Sequence, residues 1–245
     1  MKVHLLGTAG YHPSESRHTA CLMLPEVGVI LDAGTAMFRV AKLLQTRQLD
    51  IYLSHTHLDH VVGLTYLLDL LQTAPLDRVT IHVETAKIDP LRTHLFSETL
   101  FPVTLQCDFV PLGSGPLPNG GTLTTFPLDH PGGSVGMRLD WPGHSLAYVT
   151  DTTARADADY VRHLQSVDVL VHECNFPDGE EPFATLTGHS CLTPVLEVAK
   201  KALVKRLILT HLNPLDDPTT RLDLAAAAGI FPATEIAHDL QIVAF

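Results

Sequence analysis

The sequence predicts an α/β fold in which two β-sheets pack face to face and helices cover both outer surfaces, an α/β/β/α sandwich. Two observations support this fold class. Short apolar runs bounded by turn residues alternate with stretches of helical periodicity along the chain. Polar side chains typical of functional sites directly follow several of the apolar runs. Composition alone does not separate this sandwich from other α/β folds, so the distinction depends on the motifs.

Length and composition indicate one domain. The chain has 245 residues, of which 45% are hydrophobic, and this is enough for a single large core. No stretch resembles a linker, so we expect one domain over residues 1–245. The apolar run 3–6 is too short for a signal peptide, and no run approaches the length of a membrane-spanning helix. We therefore expect a cytoplasmic protein that has no membrane partner.

The first third of the chain begins with β-structure. Residues 3–6, 21–24 and 29–32 are short apolar runs separated by turns that contain Gly or Pro, which favours strands. Residues 36–45 show helical periodicity, and residues 51–53 form the next predicted strand. Beyond a polar stretch, four apolar side chains recur at helical spacing: Val61, Leu64, Leu68 and Leu71.

The rest of the chain continues the alternation of strands and helices. Strands are expected at residues 79–83, 105–110, 123–127, 135–140, 145–149, 167–172 and 206–210. Helices are expected at residues 85–95, 156–165, 193–203 and 222–228. Residues 111–121 are rich in Pro and Gly and are expected to form a loop. The last segment, residues 236–243, is expected to be extended.

The stretch with the most chemical information is residues 54–60, Ser-His-Thr-His-Leu-Asp-His, between a predicted strand and a predicted helix. Its three imidazoles and one carboxylate are groups that bind divalent cations. Asp59 falls at the start of the helix, where the helix dipole favours a carboxylate. A single loop histidine is usually an incidental polar residue, but this spacing is much more specific than a two-residue signature. The stretch therefore predicts a metal site.

Three further candidate ligands each follow a predicted strand. His130 comes after residues 123–127, Asp151 after residues 145–149 and His211 after residues 206–210. One polar residue at the end of a strand is commonplace. Three of them in the order His, Asp, His, downstream of the histidine-rich stretch, are a stronger signal. If these strands end at one edge of the fold, their loops converge on a site for two metal ions.

This order of motifs resembles that of the metallo-β-lactamase superfamily, and the resemblance covers almost the whole chain. It implies the α/β/β/α sandwich and a dinuclear metal centre. Carried over position by position, it implies one ion held by His55, His57 and His130, a second held by Asp59, His60 and His211, and a bridging Asp151.

The resemblance also indicates which ions to expect. Position 57 is His, whereas the di-iron redox branch of the superfamily tends to carry Glu there. This difference favours a hydrolytic site with two Zn²⁺ ions. Mn²⁺ and iron remain alternatives, because nitrogen and oxygen ligands do not select strictly among these metals.

Further motifs resemble one branch of the superfamily. They are Gly7-Thr8 with Pro13, Arg17 and Cys21, Asp129-His130 with the Gly-Met-Arg-Leu run 136–139, and the segments 172–176, 188–190 and 209–211. This combination is similar to the tRNA 3′-processing endonucleases known as ribonuclease Z and to the smaller cyclic phosphodiesterases of the carbon–phosphorus lyase pathway.

Two features depart from that branch. Only twenty residues separate His130 from Asp151, which leaves no room for the long arm by which the endonucleases hold tRNA. The cysteine-rich insert that carries a structural zinc in the cyclic phosphodiesterases is missing, and Cys21 alone remains. The first departure weakens tRNA as a substrate, and the second leaves the cyclic ribosyl phosphate open.

The resemblance assigns catalytic roles as well. Two zinc ions that share a water would lower its pKa to about 7 and supply a metal-bound hydroxide, whose proton Asp59 can accept. His189, in a glycine-containing loop before a predicted helix, takes the role of proton donor to the leaving oxygen and of phosphate contact. The alternative is an ordinary loop or helix-capping histidine.

Three residues are candidate substrate contacts. Glu173 could orient His189, but it could equally partner a metal-bound histidine or be a buried structural carboxylate. His12 and Arg17 are candidates only because they lie in the first loop.

Charge and site chemistry together predict a small substrate. The net charge of −11 argues against a surface for a long polyanion, since nucleic-acid affinity comes mainly from Lys and Arg. Two Zn²⁺, two carboxylates and one hydroxide leave about +1 on the centre, which suits a monoanionic diester. We therefore predict a metal-dependent phosphodiesterase that cleaves a small or cyclic phosphodiester.

Three other functions stay open. They are tRNA 3′-end cleavage, acyl hydrolysis of a thioester, lactone or β-lactam, and a non-catalytic metal-binding scaffold. Because homodimers are common in the branch, a homodimer is an alternative to a monomer.

Overall fold

The apolar runs form the strands of two seven-stranded sheets in the computed structural model, which describes residues 1–215 and 217–245. In spatial order, the first sheet consists of β14 (Gln241–Ala244), β1 (Lys2–Gly7), β2 (Cys21–Leu24), β3 (Val29–Leu31), β4 (Gln48–Tyr52), β5 (Arg78–Val83) and β6 (Asp108–Pro111). The second sheet consists of β13 (Thr234–Ile236), β12 (Arg206–Thr210), β11 (Val169–Glu173), β10 (His144–Val149), β9 (Ser134–Trp141), β8 (Gly121–Leu128) and β7 (Gly115–Leu117).

The helices are short, and many of the helical turns are 3₁₀. The α-helices are α1 (Leu58–Val61), α2 (Leu67–Thr73), α3 (Thr85–Pro90), α4 (Glu181–Thr187), α5 (Leu192–Lys201), α6 (Pro218–Arg221) and α7 (Leu224–Ile230). The 3₁₀ segments are Thr35–Lys42, Val62–Tyr66, Pro118–Gly120 and Asp159–Leu164, and a π-helical turn covers Leu91–Leu95. Within the described ranges, no helix is long and apolar enough to cross a bilayer.

Three apolar layers hold the architecture together. The central layer lies between the sheets and includes Leu5, Tyr148 and Ile208. A second layer packs Thr35–Lys42 and α2 against the outer face of the first sheet. A third packs α5, α7 and Asp159–Leu164 against the outer face of the second sheet. The predicted α/β/β/α sandwich is therefore confirmed.

The strand directions bring the candidate site residues to one edge. β10, β11 and β12 are parallel neighbours, with Val149 opposite His172 and Glu173 opposite Thr210. Because parallel strands point the same way, their carboxyl ends meet at the same edge of the sheet. β4 ends just before the histidine-rich stretch, in the sheet that faces them.

Several stretches differ from the sequence predictions. The expected loop 111–121 contains the end of β6 together with β7 and a 3₁₀ turn. Helix α4 was not predicted, because only Ala184 of its seven residues is buried, so the sequence shows no core-facing pattern.

The expected extended segment 236–243 is divided between the two sheets. β13 pairs in parallel with β12, whereas β14 pairs antiparallel with β1. The turn between them contains Leu240 at a positive φ of 65°, and the Leu240 N–H donates to the carbonyl of Leu5 at 2.8 Å.

Candidate metal centre

Seven predicted ligands meet at the edge where the two sheets expose their strand ends. The ligand atoms of His55, His57, His130 and Asp151 all lie within 4.8 Å of one another, and those of Asp59, His60 and His211 do likewise. These two groups correspond to the two ligand sets that the sequence implies. A third group among the described residues consists of Asp151, His189 and His211, so His189 also lies close enough to share a cation with two of the candidate ligands.

Asp151 lies between the two groups. Its Oδ1 is 3.2 Å from His60 Nε2 and 3.3 Å from His211 Nε2, which belong to one group. Its Oδ2 is 3.6 Å from His55 Nε2 and 3.6 Å from His130 Nε2, which belong to the other. One carboxylate oxygen faces each group, as a bridging ligand requires.

The nitrogen atoms of the site suit divalent cations. His55 Nε2 is buried and has no hydrogen-bond partner among the described residues. Burial and the neighbouring His60 lower the pKa of His55 well below its usual value, so the ring is neutral. The Ser54 hydroxyl donates to Asp32 and therefore accepts from His55 Nδ1–H at 3.0 Å, which leaves the lone pair on Nε2. His57 Nδ1 lies 3.2 Å from His130 Nε2, and His60 Nε2 lies 3.2 Å from His211 Nε2. The first pair lies at the exposed side of the site and the second pair is buried. Imidazole nitrogens that face one another in this way, with carboxylates beside them, are a donor set for Zn²⁺ or a similar ion.

Both carboxylates of the site are ionised at neutral pH. Burial alone would favour the protonated form of Asp151, but His211, His60 and His55 hold its pKa well below the usual range. The same balance of burial against His60 and His211 lowers the pKa of Asp59. Two negative charges are therefore available to bind cations without prior loss of a proton.

Asp32, which lies outside the motifs of the sequence, orients one candidate ligand. It is fully buried, and its Oδ2 accepts a hydrogen bond from His60 Nδ1–H at 2.8 Å. The same oxygen accepts from the hydroxyls of Ser54 and Tyr148, each at 2.8 Å. Since Nδ1 of His60 is occupied in this way, Nε2 is the nitrogen that faces the site. The only sequence signal was an Asp directly after a strand, in an Asp-Ala-Gly turn.

Three of these residues have a left-handed backbone conformation, which orients their side chains. Asp32, Asp151 and His211 come just after β3, β10 and β12 and have positive φ values of 59°, 51° and 52°. This left-handed region is uncommon for residues other than Gly and is concentrated at functional sites.

Gly10 makes room for the His211 ring. A Cβ atom at Gly10 would lie 2.4 Å from both Cε1 and Nδ1 of that ring. The first loop thus touches the site, and the neighbouring Tyr11 N–H donates to Asp59 Oδ2 at 2.8 Å. Sequence reasoning did not single out either residue.

His189 lies beside the two groups and is held by Glu173. Its Nδ1–H donates to Glu173 Oε1 at 3.1 Å, and its ring centroid is 5.2 Å from those of His130 and His211. Glu173 is buried and also accepts the backbone N–H groups of Thr152 and Ser190.

The charge of Glu173 also acts on the proton of His189. Burial favours the neutral imidazole, but Glu173, followed by Asp151 and Asp59, outweighs burial and raises the pKa of His189 to about 9. At neutral pH His189 therefore carries the proton that a general acid needs.

The other two substrate-contact candidates lie in the first loop and bond to the protein itself. Arg17 Nη1 donates to Thr8 Oγ1 and to the carbonyl of Ala237, each at 2.6 Å. His12 Nδ1–H donates to the carbonyl of Pro13 at 2.8 Å. Their contact with a substrate stays a prediction.

A different hydrogen bond orients His130. Its Nδ1–H donates to the carbonyl of Gly188 at 2.9 Å, so Nε2 faces the site. Gly188 has a positive φ of 74°, and a Cβ there would approach Pro131 to 2.3 Å. The loop that carries His189 thereby also positions a metal-ligand candidate.

Comparison with known proteins gives near full-length matches. The chain is 27% identical to ribonuclease Z of Methanothermobacter thermautotrophicus over 99% of this chain and 96% of that protein. It is 28% identical to ribonuclease BN of Salmonella paratyphi C over 99% of each chain. The first alignment extends over 304 positions, so that relative contains segments which this 245-residue chain lacks.

Solved structures show the same fold. The short form of human tRNase Z aligns with a TM-score of 0.78 at 21% identity, over 100% of this chain and 99% of that one. A diphosphatase from the PhnP family aligns with a TM-score of 0.74 at 18% identity, over 100% and 97%. The model of the β-lactamase superfamily domain matches residues 28–212. The chain therefore belongs to the β-lactamase superfamily, as a metallo-β-lactamase fold that resembles ribonuclease Z.

Proposed function

We propose that this protein is a phosphodiesterase with two metal ions, most consistent with Zn²⁺, and that it cleaves a small phosphodiester. The observation that carries the proposal is the position of Asp151, whose two oxygens face two separate groups of imidazole nitrogens. Two divalent cations bound there would activate a water molecule as nucleophile and neutralise charge on the phosphoryl oxygens.

The chain itself supplies groups for both proton transfers. Asp59 is ionised, and its Oδ2 lies 3.2 Å from His211 Nε2 at the partly open side of the site, where it can accept the proton of the attacking water. His189 is protonated at neutral pH and can donate to the leaving oxygen. The hydrogen bond to Glu173 fixes the orientation of the His189 ring, and so fixes the direction in which His189 can donate its proton.

Charge and shape favour a small substrate over a long polyanion. The net charge is −11, and affinity for nucleic acid comes mainly from Lys and Arg on phosphates. The interval between His130 and Asp151 is occupied by the β9–β10 hairpin, whose turn is so tight that Trp141 pairs with His144. This interval therefore holds no long arm that could grip a nucleic acid.

The four cysteines are free thiols, which fits the reducing cytoplasm.

Elemental analysis followed by a substrate panel tests the proposal. The purified protein should contain two zinc ions per chain and hydrolyse bis(p-nitrophenyl) phosphate. p-Nitrophenyl phosphate, a thioester and a β-lactam should react far more slowly. Faster turnover of the thioester or the lactam would overturn the proposal in favour of acyl hydrolysis. A fully metallated protein that turns over nothing would favour a scaffold.

His189→Ala tests the general acid. Metal content should stay at two ions, while diester cleavage slows by about 10²–10⁴-fold. Because protonation matters most for a poor leaving group, the loss should be larger for methyl phenyl phosphate, which releases phenol, than for methyl p-nitrophenyl phosphate, which releases p-nitrophenol. An equal loss for both leaving groups would contradict the acid role of His189.

Cleavage of tRNA 3′ ends is the second candidate function. It is favoured by similarity to proteins named ribonuclease Z and ribonuclease BN over nearly their whole length. Binding of tRNA at several salt concentrations separates the two candidates. A substrate tRNA should bind tightly at low salt and lose affinity steeply as salt rises. A small-molecule diesterase with this net charge should show weak binding throughout.

A further inference from the structure

Tyr11 combines three properties that the proposed mechanism does not use. Its backbone N–H donates to Asp59 Oδ2 at 2.8 Å. Its backbone has a positive φ of 61°, and its side chain is 76% exposed. A large aromatic residue therefore lies at the metal centre in a conformation that favours Gly or Asn, with its ring in solvent.

The conformation of Tyr11 is strained, and its surroundings maintain it. A positive φ is a genuine outlier for a bulky residue, and such strain is concentrated at functional sites. Hydrogen bonds fix the preceding backbone, from Ala9 N–H to the His18 carbonyl and from Gly10 N–H to the Leu212 carbonyl. The bond from Tyr11 to Asp59 completes this support.

The position of Tyr11 places its ring within reach of a bound substrate. Since an N–Cα bond is about 1.5 Å long, the Tyr11 Cα lies within about 4.3 Å of Asp59 Oδ2. The edge of the His12 ring contacts the Tyr11 ring at a centroid distance of 5.0 Å and an angle of 63°. This contact restrains the ring and leaves most of its surface open.

Two segments that carry site residues also carry exposed apolar side chains. Leu58 lies between His57 and Asp59 and is 70% exposed, and Leu186 is 76% exposed. Leu186 is two residues before Gly188, whose carbonyl accepts the His130 hydrogen bond. Exposed apolar surface around a polar metal centre favours a ligand that is itself partly apolar.

We propose that Tyr11 is a specificity-determining residue whose ring stacks on a planar aromatic group of the phosphodiester bound at the metal centre. This inference rests on the proposed phosphodiesterase function and adds the class of substrate, a diester with an aromatic substituent. Gly or Asn would adopt this positive φ with less strain, but neither has an aromatic ring. The strained Tyr11 therefore supplies a ring where those residues would leave open space.

Binding of two monoanions whose only cleavable bond is a methyl ester, with methoxide as a poor leaving group, tests the inference independently of turnover. The probes are monomethyl phenylphosphonate and monomethyl methylphosphonate, titrated calorimetrically into the zinc-loaded protein. The phenyl compound should bind about tenfold more tightly, as expected of one aromatic stacking contact. Tyr11→Asn should remove this preference and leave the affinity for the methyl compound unchanged, whereas Tyr11→Phe should keep the preference.

Thermal unfolding separates recognition from folding. Because Asn tolerates a positive φ better than Tyr, Tyr11→Asn should unfold at the same temperature or a higher one. Tyr11→Gly, which any φ suits, is a second variant with the same expected loss of preference. A purely structural role for Tyr11 would instead lower the unfolding midpoint and weaken both phosphonates equally.

Leu203 offers a matched control. It has a positive φ of 55° and is 68% exposed, but it lies before β12, at the opposite edge from His211. Leu203→Asn relieves similar strain and removes a similar apolar surface, so it should retain the preference for the phenyl compound.

The possible outcomes distinguish this inference from the function on which it rests. Equal affinity of the wild type for both phosphonates, or a preference that persists in Tyr11→Asn, would overturn the role of Tyr11 and leave the diester site standing. If neither phosphonate binds the zinc-loaded wild type, the diester site and the role of Tyr11 both fail.

Discussion

At the scale of single residues, Asp32 links the folded core to the metal centre. Its carboxylate accepts four hydrogen bonds, two from Ser54, one from His60 and one from Tyr148. Ser54 and His60 belong to the histidine-rich stretch, whereas Tyr148 lies on β10 in the other sheet. One buried carboxylate thus determines how parts of both sheets approach the site.

Asp32→Asn should weaken metal binding while preserving the backbone, because Asn also tolerates a positive φ. The amide keeps one acceptor oxygen, so it cannot serve all four donors, and His60 loses its fixed orientation. Zinc affinity should fall by about 10–100-fold in competition with a chromophoric chelator. Tyr148→Phe removes one donor and keeps the carboxylate, so its effect should be smaller. Unchanged affinity in Asp32→Asn would contradict this role.

Glu173→Gln should change the pH dependence of cleavage. A general acid acts while it is protonated, so activity falls as the pH rises through its pKa. Glu173 raises the pKa of His189, and loss of its charge should lower that pKa. The alkaline limb of kcat/KM should therefore move to lower pH. Glu197→Gln, on the exposed face of α5, is the matched control and should leave the limb in place.

At the scale of elements, the first loop is built around the ring of His211. Gly10→Ala should displace this ring, since the new Cβ would lie 2.4 Å from two of its atoms. Elemental analysis should show fewer than two zinc ions per chain. Gly113→Ala is the control, because no atom lies within 4 Å of a Cβ at that position. Full zinc occupancy in Gly10→Ala would show that the loop moves instead of the ring.

The strands and helices that were predicted well are those whose apolar residues face the core, because their spacing in the sequence then reflects which side chains are buried. β4, β10 and β12 are apolar runs that are largely buried, and their patterns were clear. Helix α4 was missed because Phe183 and Leu186 point to solvent, so its apolar residues do not mark a core face. The tail was read as one segment because the turn at Leu240 depends on contacts with β1 and not on local composition.

The candidate site could be predicted as far as its motifs extend. His55, His57 and His60 are close in sequence, so their shared chemistry is visible without a structure. Asp32 and Tyr11 make their contacts with the site only after folding. The position of Asp32 directly after a strand is the one local signal, and the sequence around Tyr11 gives none. A single sequence shows groups that are chemically distinctive, whereas residues that orient them become visible through the fold.

At the scale of the whole molecule, the metal centre joins the two sheets. The histidine-rich stretch follows β4 of the first sheet, while His130, Asp151 and His211 follow strands of the second. Ions held by these candidate ligands would therefore crosslink the sandwich at one edge. Ligands that bind only the folded state stabilise it, by about 4 kcal/mol at a thousandfold excess over Kd.

Metal removal should accordingly lower thermal stability. For a domain of this size, about 1 kcal/mol corresponds to about 2–4 °C, so a chelator should lower the unfolding midpoint by about 10 °C. Restoring zinc should recover the original midpoint. Calorimetry of the chelated and reloaded protein provides the comparison, and an identical midpoint in both states would argue against a centre that spans the sheets.

The C-terminal segment from β13 to β14 connects the two sheets, because β13 belongs to one sheet and β14 to the other. Separation of the two sheets requires that the pairing of β13 with β12 or that of β14 with β1 be broken. The short turn between β13 and β14 thus ties the edge strand of one sheet to the edge strand of the other. Amide hydrogens in β1 and β12 should therefore exchange through a single shared opening event, with equal protection in both strands.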